Sequence, residues 1–164
     1  MNALVLGIGN LLIGDEGVGC KAVEELNRRY QLPPGLECMD GGTAGFELLS
    51  LMDGKDLVIL IDALRNDMEP GTSVLVAGED VPQVFLTSIS PHQLGISDVL
   101  AAAQLTDTLP RELFLYGIEP KNLDVGIGLT PEVEAGMEKV ISAVVEQLRN
   151  FGYEVKSNGI KSEH

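Results

Sequence analysis

At 164 residues with 45% hydrophobic content, the chain has the size and composition of one globular domain with a sizeable core. Its formal net charge of −14 and pI near 4.3 exclude nucleic acid and anionic membrane as partners, because binding phosphate needs a basic surface; they suit a partner that is basic or carries a metal. No apolar run approaches the roughly 18 residues of a membrane span, and the N-terminus enters a strand without a basic leader, so a cytoplasmic protein is expected.

Residues 3–6 form a short apolar run without alternation, the pattern of a parallel strand buried on both faces. Gly7, Gly9 and Gly14 follow in a loop where side chains would block close backbone approach, and the loop ends in two carboxylates, Asp15 and Glu16. Val18, Ala22, Val23, Leu26 and Tyr30 then make a helical stripe that stops before Pro33-Pro34-Gly35. Residues 36–39 predict a second strand. Asp40-Gly41-Gly42-Thr43 is a turn into a short helix with Phe46, Leu48, Leu49 and Met52 on its apolar face and Thr43 as N-cap.

Leu57-Val58-Ile59-Leu60-Ile61 is the strongest strand, branched and continuously apolar, and so belongs in the middle of the sheet. It ends abruptly in Asp62. Pro70-Gly71 turns the chain into a strand over residues 73–77, and residues 78–93, with Ser90-Pro91-His92-Gln93, read as a long irregular connection of the kind that often carries function. A helix over 94–105 and a strand over 113–118 follow. The last helix opens with Thr130 as N-cap and Pro131 at its first position, keeps an apolar stripe from Val133 to Leu148 and stops at Gly152. Residues 156–164 are polar and read as a flexible tail, leaving 1–155 as a single domain.

Strands alternating with helices predict an α/β fold, a three-layer α/β/α sandwich around a mostly parallel, twisted sheet of about five strands. In such a sheet the carboxyl ends of the strands share one edge, where sites form. The Gly7-Ile8-Gly9-Asn10 turn invites a dinucleotide-binding reading, but Leu12 stands where the third glycine of GxGxxG belongs. Asp40 also lies well beyond the spacing of about 20 residues expected of a ribose-binding acid. Asp15 and Glu16 would moreover repel a phosphate.

Taken singly, Glu16 is an acid favoured by a helix dipole, Asp62 a turn residue after a strand, and His92 a loop residue satisfying a hydrogen bond. The sheet edge gathers Glu16, Asp40 and Asp62. His92 is the only other histidine besides His164 at the chain end. One imidazole and two carboxylates suit a borderline divalent cation with positions left open, the metal itself being undetermined by spacing. No HExxH helix is present. Cys20 and Cys38 lack CxxC spacing and read as free thiols without a catalytic role.

Together, Gly7-Ile8-Gly9-Asn10, Asp15-Glu16-Gly17-Val18-Gly19, Asp40-Gly41-Gly42-Thr43-Ala44-Gly45, Asp62-Ala63, Ser90-Pro91-His92-Gln93-Leu94-Gly95 and Leu129-Thr130-Pro131 resemble, in order, the maturation endopeptidases of nickel-iron hydrogenases. The resemblance implies that Glu16, Asp62 and His92 bind nickel, which the substrate supplies as a recognition mark. Asp40 is then a candidate base or a support for the site. It implies cleavage of a short C-terminal peptide from the hydrogenase large-subunit precursor. A non-catalytic nickel-binding assembly factor for that subunit is the alternative the same ligands would serve, and a nucleotide-binding enzyme comes third.

Overall fold

The computed structural model describes residues 1–42, 47–87 and 93–159. β1 (Ala3–Ile8) is buried at every position, as an apolar strand must be when it has a neighbour on each side and both faces are covered. A 3₁₀ turn (Gly14–Gly17) leads into α1 (Val18–Arg29), which is followed by β2 (Tyr30–Gln31), β3 (Leu36–Gly42) and α2 (Glu47–Met52). β4 (Leu57–Ala63), again wholly buried, precedes β5 (Ser73–Ala77), α3 (Asp80–Thr87) and α4 (Gln93–Leu105). β6 (Glu112–Ile118), α5 (Pro131–Asn150) and β7 (Lys156–Ser157) follow.

The main sheet has five strands in the order β3-β1-β4-β6-β5. β1, β3, β4 and β6 run parallel, and β5 alone is antiparallel, paired with β6. β4 is thus central, as its branched apolar run requires, while edge strand β5 alternates exposed and half-buried positions. The two-residue period of a strand divides the core into two layers. Val5, Ile59 and Ile61 join α1 and α5 on one face; Leu4, Leu6, Val58 and Leu60 join α2, α3 and α4 on the other. This is the expected α/β/α sandwich.

α5 carries the longest apolar stripe, with Val133, Met137, Val140, Ile141, Val144, Val145 and Leu148 buried. It ends as the sequence indicates. Gly152 adopts φ 97°; its N–H donates to the Arg149 carbonyl (3.0 Å), and that of Tyr153 to the Leu148 carbonyl (3.1 Å), the paired bonds of a Schellman cap.

Two segments depart from expectation. Residues 80–87, inside the expected irregular connection, form α3, which buries Val81 and Phe85 one turn apart. Pro82 does not prevent this, because in the first turn its missing N–H would have had no partner within the helix. At the other end, Lys156–Ser157 of the expected loose tail pairs antiparallel with Tyr30–Gln31. Burial of Tyr153 and Val155 brings the chain back to the body. Arg149 then donates to the Val155 carbonyl (3.0 and 2.8 Å), and the Asn158 N–H to that of Arg29 (2.7 Å). The expected N-cap Thr43 and the helical Phe46 lie outside the described residues. Among the described residues, no helix is long and apolar enough to cross a membrane.

Arg29 links the two helices of one face. It donates to Glu25 on α1 (3.0 Å) and through two nitrogens to Glu138 on α5 (2.7 and 2.6 Å). Burial works against ionising Glu25, but the hydrogen bonds and charges of Arg28 and Arg29 prevail and hold its carboxyl below the ordinary value of 4.5. A depressed carboxyl stabilises the fold fully above its unfolded pKa and loses that contribution as pH falls through the folded one. Replacing Arg29 by Met should lower the unfolding free energy by about 2–3 kcal/mol at pH 7 in urea denaturation, since the pair is largely buried. The gap between the two proteins should narrow as pH falls below 4.5 and Glu25 protonates.

Candidate active site

Close backbone packing builds the carboxyl edge of the sheet. A Cβ at Gly7 would strike the Gly19 carbonyl, and one at Gly19 would strike the backbone of Ile8 and Ile61. The first turn of α1 therefore sits directly on β1 and β4. Gly9 follows at φ 129°, its N–H donating to the Gly42 carbonyl (3.0 Å). A Cβ there would strike the Glu16 carbonyl oxygen and lie 3.7 Å from Asp62 Oδ1. The turn carrying Glu16 and the carboxylate of Asp62 thus meet over Gly9, where only glycine leaves room.

Both acids are out of solvent: Asp62 is 0% exposed and Glu16 6%. Asp62 lies near the end of β4, in register with Gly117 of β6. Asp40 approaches from the opposite side of β1, where Gly7 pairs with Asp40 in β3 and Ile61 in β4. The β1–β3 register then slips, Ile8 facing Gly42, so that Gly41 is the extra residue of a bulge, a device that redirects chain at strand ends. Unlike the other two acids, Asp40 is exposed.

Asp40 is held by two donors on Oδ1: the Gly42 N–H (2.7 Å) and the Cys20 thiol (2.9 Å). Cys20 is buried and its sulfur also lies 3.4 Å from the Gly9 carbonyl. Burial pushes the Cys20 thiol far up, and the hydrogen bond and charge of Asp40 and the charge of Asp62 add to this. The group is therefore a neutral donor at physiological pH and no nucleophile. Burial alone pushes Cys38 up to about 12. Sequence reasoning gave Cys20 no part; its contact with Asp40 spans two elements and leaves no local signal.

Asp15 likewise has a part that its neighbours in sequence do not announce. It is 0% exposed and accepts from the Lys121 N–H (2.9 Å), the Asn122 N–H (2.8 Å), the Thr130 N–H (2.8 Å) and the Thr130 hydroxyl (2.9 Å). Thr130 does occupy the N-cap position of α5 in extended conformation, but makes no side-chain capping bond; its hydroxyl serves Asp15 instead. Backbone bonds reinforce the link, from the Asp15 N–H to the Asn122 carbonyl (2.8 Å) and from the Gly14 N–H to that of Gly126 (2.9 Å).

The structure accordingly brings Glu16, Asp62 and Asp40 to one edge. His92 lies outside the described residues. Among the described residues, no group of three or more His, Cys, Asp or Glu is arranged to hold a metal ion; Glu16 and Asp62 supply two buried oxygen-bearing groups, the donor type a divalent cation accepts.

The family model described as hydrogenase maturation protease, HycI, matches residues 20–147. The chain is also 46% identical over 155 residues to the Hydrogenase 2 maturation protease of Escherichia coli (strain K12), covering 94% of each chain. The chain belongs to the hydrogenase maturation proteases. As a member of that family it is a peptide hydrolase, an endopeptidase of hydrogenase maturation. Its fold matches the E. coli hydrogenase maturating endopeptidase HybD with a TM-score of 0.92 at 45% identity, over 96% of this chain and 98% of that one. A [NiFe] hydrogenase maturation protease HybD from Thermococcus kodakarensis matches with a TM-score of 0.74 at 31% identity, over 90% of this chain and 99% of that one.

Two predictions follow from the geometry of this maturation protease. Replacing Asp15 by Ala removes the shared acceptor of four part-buried donors and should cost about 2–3 kcal/mol of stability. Amide hydrogen exchange should then rise at Lys121, Asn122 and Thr130 well before it rises in β1 or β4. In the native protein neither thiol should react with iodoacetamide at pH 8, and both should react once guanidinium unfolds the chain.

Proposed function

We propose that this protein removes a short C-terminal peptide from the precursor of a nickel-iron hydrogenase large subunit, and that it recognises the precursor by nickel already inserted there. The observation that carries the reading is the meeting of the backbone turn that bears Glu16 with the Asp62 carboxylate over Gly9, both residues buried at the carboxyl edge of the sheet. Kinship with the Hydrogenase 2 maturation protease of E. coli supports the choice of substrate.

On this reading Glu16, Asp62 and His92 are the groups that receive the substrate's nickel. Two carboxylates and one imidazole suit a borderline divalent ion and leave positions for the precursor's own ligands. Two free thiols fit a reducing, cytoplasmic setting.

Hydrolysis needs a base beside the scissile carbonyl. Asp40 is the candidate: it is exposed, adjoins the edge and is fixed by two donors on one oxygen. Water oxygen adds to the peptide carbonyl as a water proton passes to the carboxylate; that proton then goes to the amide nitrogen as the C–N bond breaks. The thiol of Cys20 holds Asp40 in place without competing for the proton.

The test is a processing assay on nickel-loaded precursor, read by the precursor's mass. Asp62→Asn and Glu16→Gln should each reduce cleavage by about a hundredfold or more, with the thermal midpoint retained. Cleavage by Asp62→Asn at the unmodified rate would remove Asp62 from the machinery. Failure of the unaltered protein to shorten the precursor would overturn the proteolytic role on this substrate.

A further inference from the structure

Beside the proposed site lies an apolar surface that the chemistry above does not use. Leu12 is 59% exposed, Val125 90% and Ile127 85%, with Leu11 also exposed. Two segments hold these side chains together. Ile13 and Gly126 form a parallel bridge, with the Gly126 N–H donating to the Leu12 carbonyl (2.8 Å) and the Gly14 N–H to the Gly126 carbonyl (2.9 Å). Glu16 follows immediately, its N–H donating to the Ile13 carbonyl (3.0 Å). The apolar ribbon is therefore continuous with the turn that carries a proposed ligand.

Next to the ribbon is a cavity of about 520 Å³, with Leu12, Ile127, Leu129 and Met137 among its walls and Gly14 and Gly17 at the end near Glu16. Glu24, Glu25 and Glu134 line it together with Lys21, Glu25 being already paired with Arg28 and Arg29. The chain bends at Val125 and Ile127 on either side of the bridge residue Gly126, and both side chains stand out into solvent.

An exposed apolar patch beside a pocket marks a surface made to be covered. We propose that residues 11–13 and 125–127, with the adjoining cavity, dock an apolar segment of the precursor that carries a basic residue. The occupant's chemistry follows from the surface: apolar side chains for Leu12 and Ile127, and positive charge for a cavity lined by more acids than bases on a chain of net charge −14. The assignment rests on the reading that the precursor is cut beside Glu16, because any polypeptide reaching that turn along the ribbon passes Leu12.

Binding and cleavage are measured separately to test it. Nickel-loaded precursor is titrated against the unaltered protein, against a Val125→Asp/Ile127→Asp double variant and against Leu12→Asp, with the precursor's mass followed in parallel. The substituted side chains are exposed, so thermal midpoints should stay within a few degrees of the unaltered protein. Both variants should bind at least about tenfold more weakly, and raised salt should weaken binding to the unaltered protein through loss of the charge attraction. With saturating precursor, the double variant should still cleave at close to the unaltered rate. Equal binding by the unaltered protein and both variants would overturn the docking assignment even if cleavage is seen. Binding that depends on the ribbon without any cleavage would uphold docking and remove the proteolytic reading. No binding by the unaltered protein would overturn the assignment.

Discussion

A carboxylate with no exposure to water is unfavourable unless hydrogen bonds replace its hydration, and at Asp15 that requirement shapes a large part of the molecule. Its donors come from the loop after β6 and from the residue that opens α5. The charge is met only when three parts of the chain are in place together: the 3₁₀ turn, that loop and the start of the longest helix. Glu16 is the next residue. Its position over the sheet edge therefore depends on a fully buried acid, and the exposed ribbon at Leu12 and Ile127 is tied to the same anchor through Gly14 and Gly126.

Glycine supplies the second constraint. The loop after β1 looks at first like a phosphate cradle, and its glycines instead permit backbone contact within the protein. Gly7 and Gly19 let α1 rest on the strands, while Gly9 lets the Glu16 turn lie over Asp62. Both uses bring groups closer than a Cβ allows. The difference lies in what is brought close: in a cradle, amide N–H groups meet an anion, whereas here the Glu16 carbonyl and the Asp62 carboxylate, both oxygen groups, flank Gly9.

The sequence pattern made the framework readable where burial is regular. Continuous branched residues in β4 placed it at the centre of the sheet, and the stripe of α5 with Pro131 at one end and Gly152 at the other marked that helix nearly to the residue. Glu16 and Asp62 could be selected because each follows a strand or loop aimed at the same edge. α3 escaped because one turn of apolar residues around Pro82 is too short a pattern to separate from a loop. β7 is held by partners far along the chain, at Tyr30 and Gln31. Asp15 and Cys20 act through contacts made only after folding: Asp15 with residues from 121 to 130, Cys20 with Asp40. Nothing in their immediate neighbours announces those contacts.

The charge of the edge bears on how a protease of this family could tell a finished substrate from an unfinished one. Discrimination is a difference between two affinities, and it is greatest when the wrong partner leaves an unfavourable term in place. Glu16, Asp62 and Asp40 bring three carboxylates to one edge of a protein with a net charge of −14, two of them buried. On the proposed reading, a precursor carrying nickel offers these acids a cation, and a precursor lacking it buries them further with none. The apolar ribbon is indifferent to this distinction, since it would meet the same peptide in either case. Affinity would then come largely from the ribbon, whose side chains lie open to solvent, and selectivity from the carboxylates, two of which are buried.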